Sequence, residues 1–408
     1  MTVRALLFAV ILLACDMALA ASEPEQGRPT PSGRPMIFYV VKGAPDSCGH
    51  GCDRWIAAEG RIDRTTAASF RTFLNGMSDP IPPIYLASPG GDVNQAILMG
   101  SALHVRLTIA RVGRTVVREC GAEPQDSDLC IKLKQVGSGL HGELVTRGAI
   151  CASACPYVFV GAAVHEVAPD ALLGVHSAQR VLNRTDPNDP ALLAADRRAQ
   201  FFGDNQIAQY LNSVGIEAGL LGLAKTVRFE DMHFLTREEI ARFGLDRRDF
   251  VETPWIFESR GRGIIHKTAV MRGRDEASYR TLQWQVVCSD ADRLVLDFQR
   301  PAPSASGSSS VAISGGGGAS LSFDEPPAKA GFREQWALRM SHDAIELLLD
   351  SPHVELTETS LTVDGQRLQN TIRLSNDSFA FAMQGLMASC TGTKNPAVPQ
   401  PAAPSTDL

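Results

Sequence analysis

Leu86-Ala87-Ser88-Pro89-Gly90-Gly91-Asp92-Val93 is the stretch on which the reading of this chain turns. Ile84 to Ala87 is a short, wholly apolar run, as expected of a strand buried on both faces. It breaks at Ser88-Pro89-Gly90-Gly91, where two glycines allow a sharp turn and leave backbone N–H groups open. Behind Asp92, the residues Val93, Ala96, Ile97, Gly100 and His104 recur at helical spacing. Strand, Gly-Gly turn and helix make one βα unit. Taken alone, the turn predicts no more than a tight connection.

The same rhythm extends in both directions. Upstream, Ile37 to Val41 and Trp55 to Ile62 are β-type runs. The second ends at Asp63, a candidate helix cap, and Phe70, Phe73, Leu74 and Met77 then mark one helix face. Downstream, Leu107 to Val112 returns as a strand. Residues 113–147 interrupt the pattern and hold Cys120 and Cys130, which suggests an insertion pinned by its own bridge. The rhythm resumes with Ala149 to Gly161, Ala171 to His176, and a long helical stretch from about Pro190 to Leu223. Alternating strands and helices predict an α/β domain, residues 36–254, with a largely parallel sheet.

The character changes after Pro254. Leu282, Trp284, Val286 and Cys288 alternate, as do Leu294, Leu296 and Phe298. Residues 255–390 are expected to form a mainly-β module with a last helix near Phe379 to Ala388. The Ser/Gly-rich tract 301–320 carries no charge and is expected to be a mobile loop. Residues 391–408 are proline-rich and expected to be a disordered tail.

Two further segments carry candidate chemistry. Cys151-Ala152-Ser153-Ala154-Cys155 places a serine among small residues where a strand becomes a helix. Such a serine can present its hydroxyl at the helix's positive end, or it can simply cap the helix. Leu172-Leu173-Gly174-Val175-His176 is an apolar strand that delivers a histidine. That imidazole serves either as a base or as a strand-end group satisfied by backbone.

Composition narrows the classes. The 408 residues include 39 basic and 45 acidic side chains, a net charge of -6, which argues against nucleic acid as a partner. Met1 to Arg4 is short and positive, Ala5 to Ala14 is apolar, and Ala18-Leu19-Ala20 is a small-x-small cleavage pattern. Residues 1–20 therefore read as a secretory signal peptide, followed by a flexible lead-in at 21–35. Leu12-Leu13-Ala14-Cys15 also matches a lipoprotein box, which would anchor a lipid at Cys15. The signal peptide implies a periplasmic or secreted location, and no later stretch reaches spanning length, so the mature chain is expected to be soluble. Beyond Cys15 the cysteines are Cys48, Cys52, Cys120, Cys130, Cys151, Cys155, Cys288 and Cys390. An even number in an exported chain reads as disulfides, and eight allow 105 connectivities. Sequence proximity favours 48 with 52, 120 with 130, 151 with 155 and 288 with 390. Cys48-Gly49-His50-Gly51-Cys52 could also be a metal knuckle, but it lacks a second ligand pair. No metal or other cofactor is expected.

Together these segments resemble the proteolytic subunit of Clp protease, and more closely the periplasmic Clp-protease-like proteins of bacteria. The resemblance runs from about Trp55 to Val251. It includes Phe229-Glu-Asp-Met-His-Phe-Leu-Thr-Arg-Glu-Glu-Ile-Ala-Arg-Phe-Gly-Leu245. It implies a Clp/crotonase-like ββα spiral core. It also implies Ser153 as nucleophile, His176 as general base and Asp231 as the group that orients the imidazole, with Glu230 as the fallback. The N–H groups of Gly91 and Ala154 would form the oxyanion hole. The implied activity is that of a serine peptidase acting on a peptide or protein, in a self-associating chain.

This sequence departs from the Clp subunit in its cysteines around Ser153, its extra residues 113–147 and its β module. A catalytically silent binding or scaffold protein of the envelope is the alternative. Cys151 or Cys155 as nucleophile is disfavoured by oxidation. Export disfavours a crotonase-type acyl-CoA enzyme. No lysine has the context of a serine–lysine peptidase, and no G-x-S-x-G elbow surrounds Ser153.

Overall fold

The computed structural model describes residues 33–178, 190–258, 262–273, 278–290, 293–302, 309–315, 320–323, 325–361 and 365–390. The expected signal peptide, the lipoprotein box, most of the lead-in and the tail lie outside them.

The amino-terminal part alternates strands and helices. It contains β1 (Ile37–Lys42), β2 (Arg54–Glu59), α1 (Thr66–Asn75), β3 (Ile84–Ala87), α2 (Val93–Val105), β4 (Ile109–Val112) and β5 (Arg114–Val117). There follow α3 (Asp128–Val136), β6 (Leu140–Val145), β7 (Ile150–Ala152), α4 (Cys155–Phe159), β8 (Val164–Glu166) and β9 (Leu172–Val175). The part ends with α5 (Pro190–Ser213), α6 (Gly219–Thr226), β10 (His233–Phe234) and α7 (Arg237–Arg242). Seven strands form one sheet in the order β5-β6-β1-β2-β3-β4-β8. The run β2-β3-β4-β8 is parallel, as the βα rhythm predicts. A second sheet, β10-β9-β7, holds the serine and histidine segments.

All four residues of β3 are buried, because helices or strands cover both faces. α1 turns Phe70 and Leu74 into the core, and α2 adds Ala96, Met99 and Leu103. Asp92 caps α2 by accepting from the Gln95 N–H at 3.1 Å, satisfying a donor the helix cannot use. Asp63 does not cap α1. The cap is Thr65, and Asp63 braces it by accepting from the Thr65 N–H at 2.9 Å.

Three expectations are corrected. Residues 113–147 are part of the sheet: β6 pairs with β1 and with β5. Fully buried Trp55 donates its indole N–H to Thr115 Oγ1 at 2.9 Å, and buried Lys134 reaches Glu59 at 3.2 Å. The Cys120–Cys130 disulfide ties α3 into this small second core. The helical stretch after Pro190 is two helices, separated by a turn with Gly215 at φ 75°. Third, the tract 301–320 is not wholly a loop, since Ser309–Ser314 is a strand.

The β module comprises β11 (Phe250–Glu252), β12 (Ile256–Glu258), β13 (Ile264–Arg272), β14 (Tyr279–Asp290), β15 (Arg293–Pro301), β16 (Ser309–Ser314), β17 (Ser320–Ser322) and β18 (Ala328–Ala330). It continues with β19 (Arg333–Arg339), α8 (His342–Asp350), β20 (His353–Leu361), β21 (Arg367–Ser375) and α9 (Phe379–Cys390). One sheet runs β11-β13-β14-β15-β19-β18 with β12 also on β13, and a second runs β17-β16-β20-β21. β11, which precedes Pro254, pairs with β13 in the first of these sheets. Its own core packs Trp284, Phe298 and Trp336. Cys288 and Cys390 are joined, linking β14 to α9. The fold is thus mixed α/β followed by a mainly-β module.

Two buried charge networks dominate the polar interior. Arg300 lies between Glu334 at 3.0 Å and Glu358 at 2.9 Å, and all three are almost fully buried. Arg300→Ala leaves buried Glu334 without its cation and Glu358 with Arg280 alone, at 2.7 Å, and is expected to cost about 3–5 kcal/mol in urea unfolding. Asp246 is the second. Burial opposes its ionisation, but hydrogen bonds from Arg248 and Arg237 outweigh that and hold the carboxyl at about 2. A depressed folded-state pKa gives stability that is complete above the unfolded value, near 4, and disappears as pH falls through about 2. Thermal midpoints of the wild type should therefore fall more steeply between pH 4 and pH 2 than those of Asp246→Asn.

Candidate active site

The site forms where β3 ends and the second sheet begins. Ser88, the residue after β3, bridges Cys151 of β7 in parallel register. The Ser88 N–H donates to Ile150 O at 2.8 Å, and the Ala152 N–H donates to Ser88 O at 3.0 Å. β7 pairs in parallel with β9, so the Ser153 and His176 segments leave the sheet on the same side. The Ser153 N–H donates to Gly174 O at 2.9 Å, tying the serine to the strand that carries the histidine.

Ser153 occupies the left-handed region at φ 60°. For an L-residue this costs roughly 1–2 kcal/mol, and such strain persists only where surroundings enforce it. Here the surroundings are tight. Gly90, at φ 97°, lies against the turn: a Cβ on it would sit 2.5 Å from Ser153 Cβ and 2.8 Å from Ala154 N. Gly91, at φ 142°, presses on the strand-end residue Ile62, where a Cβ would fall 1.9 Å from the carbonyl oxygen. Both glycines are required by contact as well as by conformation. Cys151 and Cys155 are joined around the serine, with Cα atoms 5.2 Å apart.

This geometry brings Ser153 Oγ to 2.7 Å from His176 Nε2. The other ring nitrogen, Nδ1, lies 2.7 Å from the carbonyl oxygen of Phe229. A carbonyl can only accept, so Nδ1 carries the proton. In the neutral ring, Nε2 then presents its lone pair to the serine, and the hydroxyl donates to it. The Phe229 ring also packs on the imidazole, with centroids 5.0 Å apart. Both groups are half-buried.

Asp231 is not brought to the imidazole. Its carboxylate is 63% exposed and lies 3.7 Å from Arg228. Glu230, the fallback, is equally directed at Arg228 at 3.7 Å. The cause is the turn itself. The Asp231 N–H donates to Arg228 O at 3.1 Å, and β10 begins at His233 opposite Val175, so the segment passes the ring with its backbone. The Phe229 carbonyl therefore stands where an aspartate was expected. A backbone group has no signature in residue identity, which is why sequence reasoning missed it.

Of the two expected oxyanion donors, Ala154 directly follows Ser153 and Gly91 follows Gly90, the residue that packs on the serine turn. Among the described residues, neither the Gly91 N–H nor the Ala154 N–H donates to a backbone carbonyl. Ser88, wholly buried, accepts from the Gly90 N–H at 3.1 Å through its hydroxyl and so holds the glycine turn. The remaining cysteines pair as Cys48–Cys52, Cys120–Cys130 and Cys288–Cys390. Both sulfurs of the knuckle-like segment are consumed in the first of these. No group of His, Cys, Asp or Glu among the described residues is arranged to hold a metal ion.

Gly90→Ala is expected to lower stability by about 1–3 kcal/mol in urea unfolding, because both its φ and its contacts exclude a methyl group. Gly203→Ala is the control. It lies inside α5 with nothing near its Cβ position, and a small gain of up to about 1 kcal/mol is expected.

No family model and no curated protein matches the chain. Among solved structures it is similar to the invasion associated protein B from Bartonella henselae, at 15% identity over 33% of this chain and 96% of that one, with a TM-score of 0.24. It is also similar to a ClpP1 mutant from Listeria monocytogenes, at 12% identity over 46% of this chain and 85% of that one, with a TM-score of 0.29. At such scores neither likeness decides what this chain does.

Proposed function

We propose that the chain is an exported serine hydrolase of peptide or other acyl bonds, built on a Clp/crotonase-like spiral core. The observation that carries the reading is the 2.7 Å contact between Ser153 Oγ and His176 Nε2, made by a serine at φ 60°. A strained serine placed against a correctly tautomerised imidazole is the arrangement that nucleophilic catalysis needs.

In this reading His176 Nε2 takes the hydroxyl proton as Ser153 Oγ bonds to the substrate carbonyl carbon. The Gly91 and Ala154 N–H groups receive the oxyanion. His176 returns the proton to the leaving amine as the scissile bond breaks, leaving an acyl-enzyme. Water then repeats the sequence with His176 as base, releasing acid and free serine. The Phe229 carbonyl holds the ring and its tautomer. It stabilises the developing imidazolium through a dipole, where a carboxylate would supply a full charge. The four disulfides support an oxidising location. No helix among the described residues is long and apolar enough to cross a membrane.

The silent-scaffold alternative draws on one observation, the missing carboxylate at Nδ1. A fluorophosphonate probe separates the two readings. Covalent labelling of the oxidised chain is expected, with loss of labelling in Ser153→Ala and in His176→Ala. Asp231→Asn is expected to keep labelling within about threefold, against the roughly 10⁴-fold loss typical when an orienting carboxylate is removed. An unlabelled, properly oxidised wild type would sink the hydrolase reading.

A further inference from the structure

Cys151 and Cys155 are fully buried and lie on either side of Ser153. Four residue steps along a strand cover about 13 Å, yet their Cα atoms are 5.2 Å apart. The disulfide can close only if the chain folds back between them, and Ser153, at φ 60°, lies inside that turn. The other restraints on the turn are non-covalent: the hydrogen bond to Gly174 O and the contact with Gly90.

We propose that the Cys151–Cys155 disulfide is a positioning device for the nucleophile, so that the site reaches its full rate only in chains folded under oxidising conditions. This rests on the hydrolase reading. The link holds the serine backbone in the left-handed region and keeps Oγ on His176 Nε2. Without it, residues 152 to 154 can relax toward right-handed or extended backbone, which turns Oγ away from the imidazole.

The redox step is a two-electron exchange. A dithiol breaks the S–S bond, each cysteine sulfur gains a proton and an electron, and the dithiol closes to its own cyclic disulfide. Both protein sulfurs lie inside the core, so the exchange belongs to folding and not to the finished fold. The other pairs differ in position. Cys48–Cys52 closes a turn after β1, Cys120–Cys130 anchors α3, and Cys288–Cys390 lies in the β module. None of them brackets a site residue.

The test is saturable inactivation of the full chain by a fluorophosphonate, comparing wild type with Cys151→Ala/Cys155→Ala and Cys48→Ala/Cys52→Ala. The first variant is expected to lose about tenfold or more in maximal inactivation rate. Its half-saturating probe concentration should stay within about twofold. Cys48→Ala/Cys52→Ala should keep the wild-type rate. A purely structural bridge would lower the melting temperature without this split, and a maximal rate within twofold of wild type overturns the proposal. If the Cys151/Cys155 variant does not melt cooperatively, wild type refolded with dithiothreitol replaces it, read before and after reoxidation with oxidised glutathione. Recovery of labelling on reoxidation is expected, and labelling unchanged by reoxidation overturns the proposal. A wild type that never labels is a separate outcome, seen before any cysteine is altered. It overturns the hydrolase reading and the clamp's catalytic role with it.

Discussion

A non-glycine residue at φ 60° stays there only when its surroundings leave it no easier conformation, and at Ser153 those surroundings come from two distant parts of the chain and from the disulfide of its own segment. The Gly90 turn closes one side, β9 receives the serine N–H, and the covalent bridge fixes the two ends of the segment. The seven-stranded sheet delivers the first, the second sheet the other two. Their alignment depends on Ser88, which belongs to the end of one sheet and pairs with the other. If that junction were to shift, the serine and histidine would separate even though neither had changed.

The imidazole illustrates how a backbone can do part of a side chain's work. Phe229 O fixes the proton on Nδ1, because a carbonyl has no donor to offer. It supplies only a partial charge, however, so it stabilises a protonated ring less. Tautomer control and charge stabilisation are usually delivered by one residue. Here the geometry provides the first and leaves the second weak, and the proposed chemistry is accordingly that of an attenuated hydrolase.

The β module has its own apolar core and its own buried ion network, distinct from the core beneath the site. Arg300 stacks on Trp336, with the guanidinium 5.0 Å from the ring, while two glutamates hold its charge. Such a network is costly to disrupt and ties the module's two sheets together, since β15 and β19 of one sheet and β20 of the other each contribute one member.

Much of this was legible in the sequence. The period of the apolar residues located β3, α1 and α2, and the alternation after Pro254 announced a β module, because both patterns depend only on neighbours along the chain. The cysteine bracket and the two glycines were visible for the same reason. Period could not show that residues 113–147 join the sheet edge, since strand pairing over that distance is a tertiary choice. Nor did it announce Ser309–Ser314 as a strand, because the face consists of two residues only, Val311 and Ile313, set in a Ser/Gly-rich tract. Type and context made Ser153 and His176 candidates, and the resemblance alone gave them roles and pointed to Asp231, whereas Nδ1 faces the Phe229 carbonyl two residues earlier. Residue identity can report which side chains are available. Only the folded backbone decides which atom faces Nδ1, because every residue carries a carbonyl and the turn alone selects one.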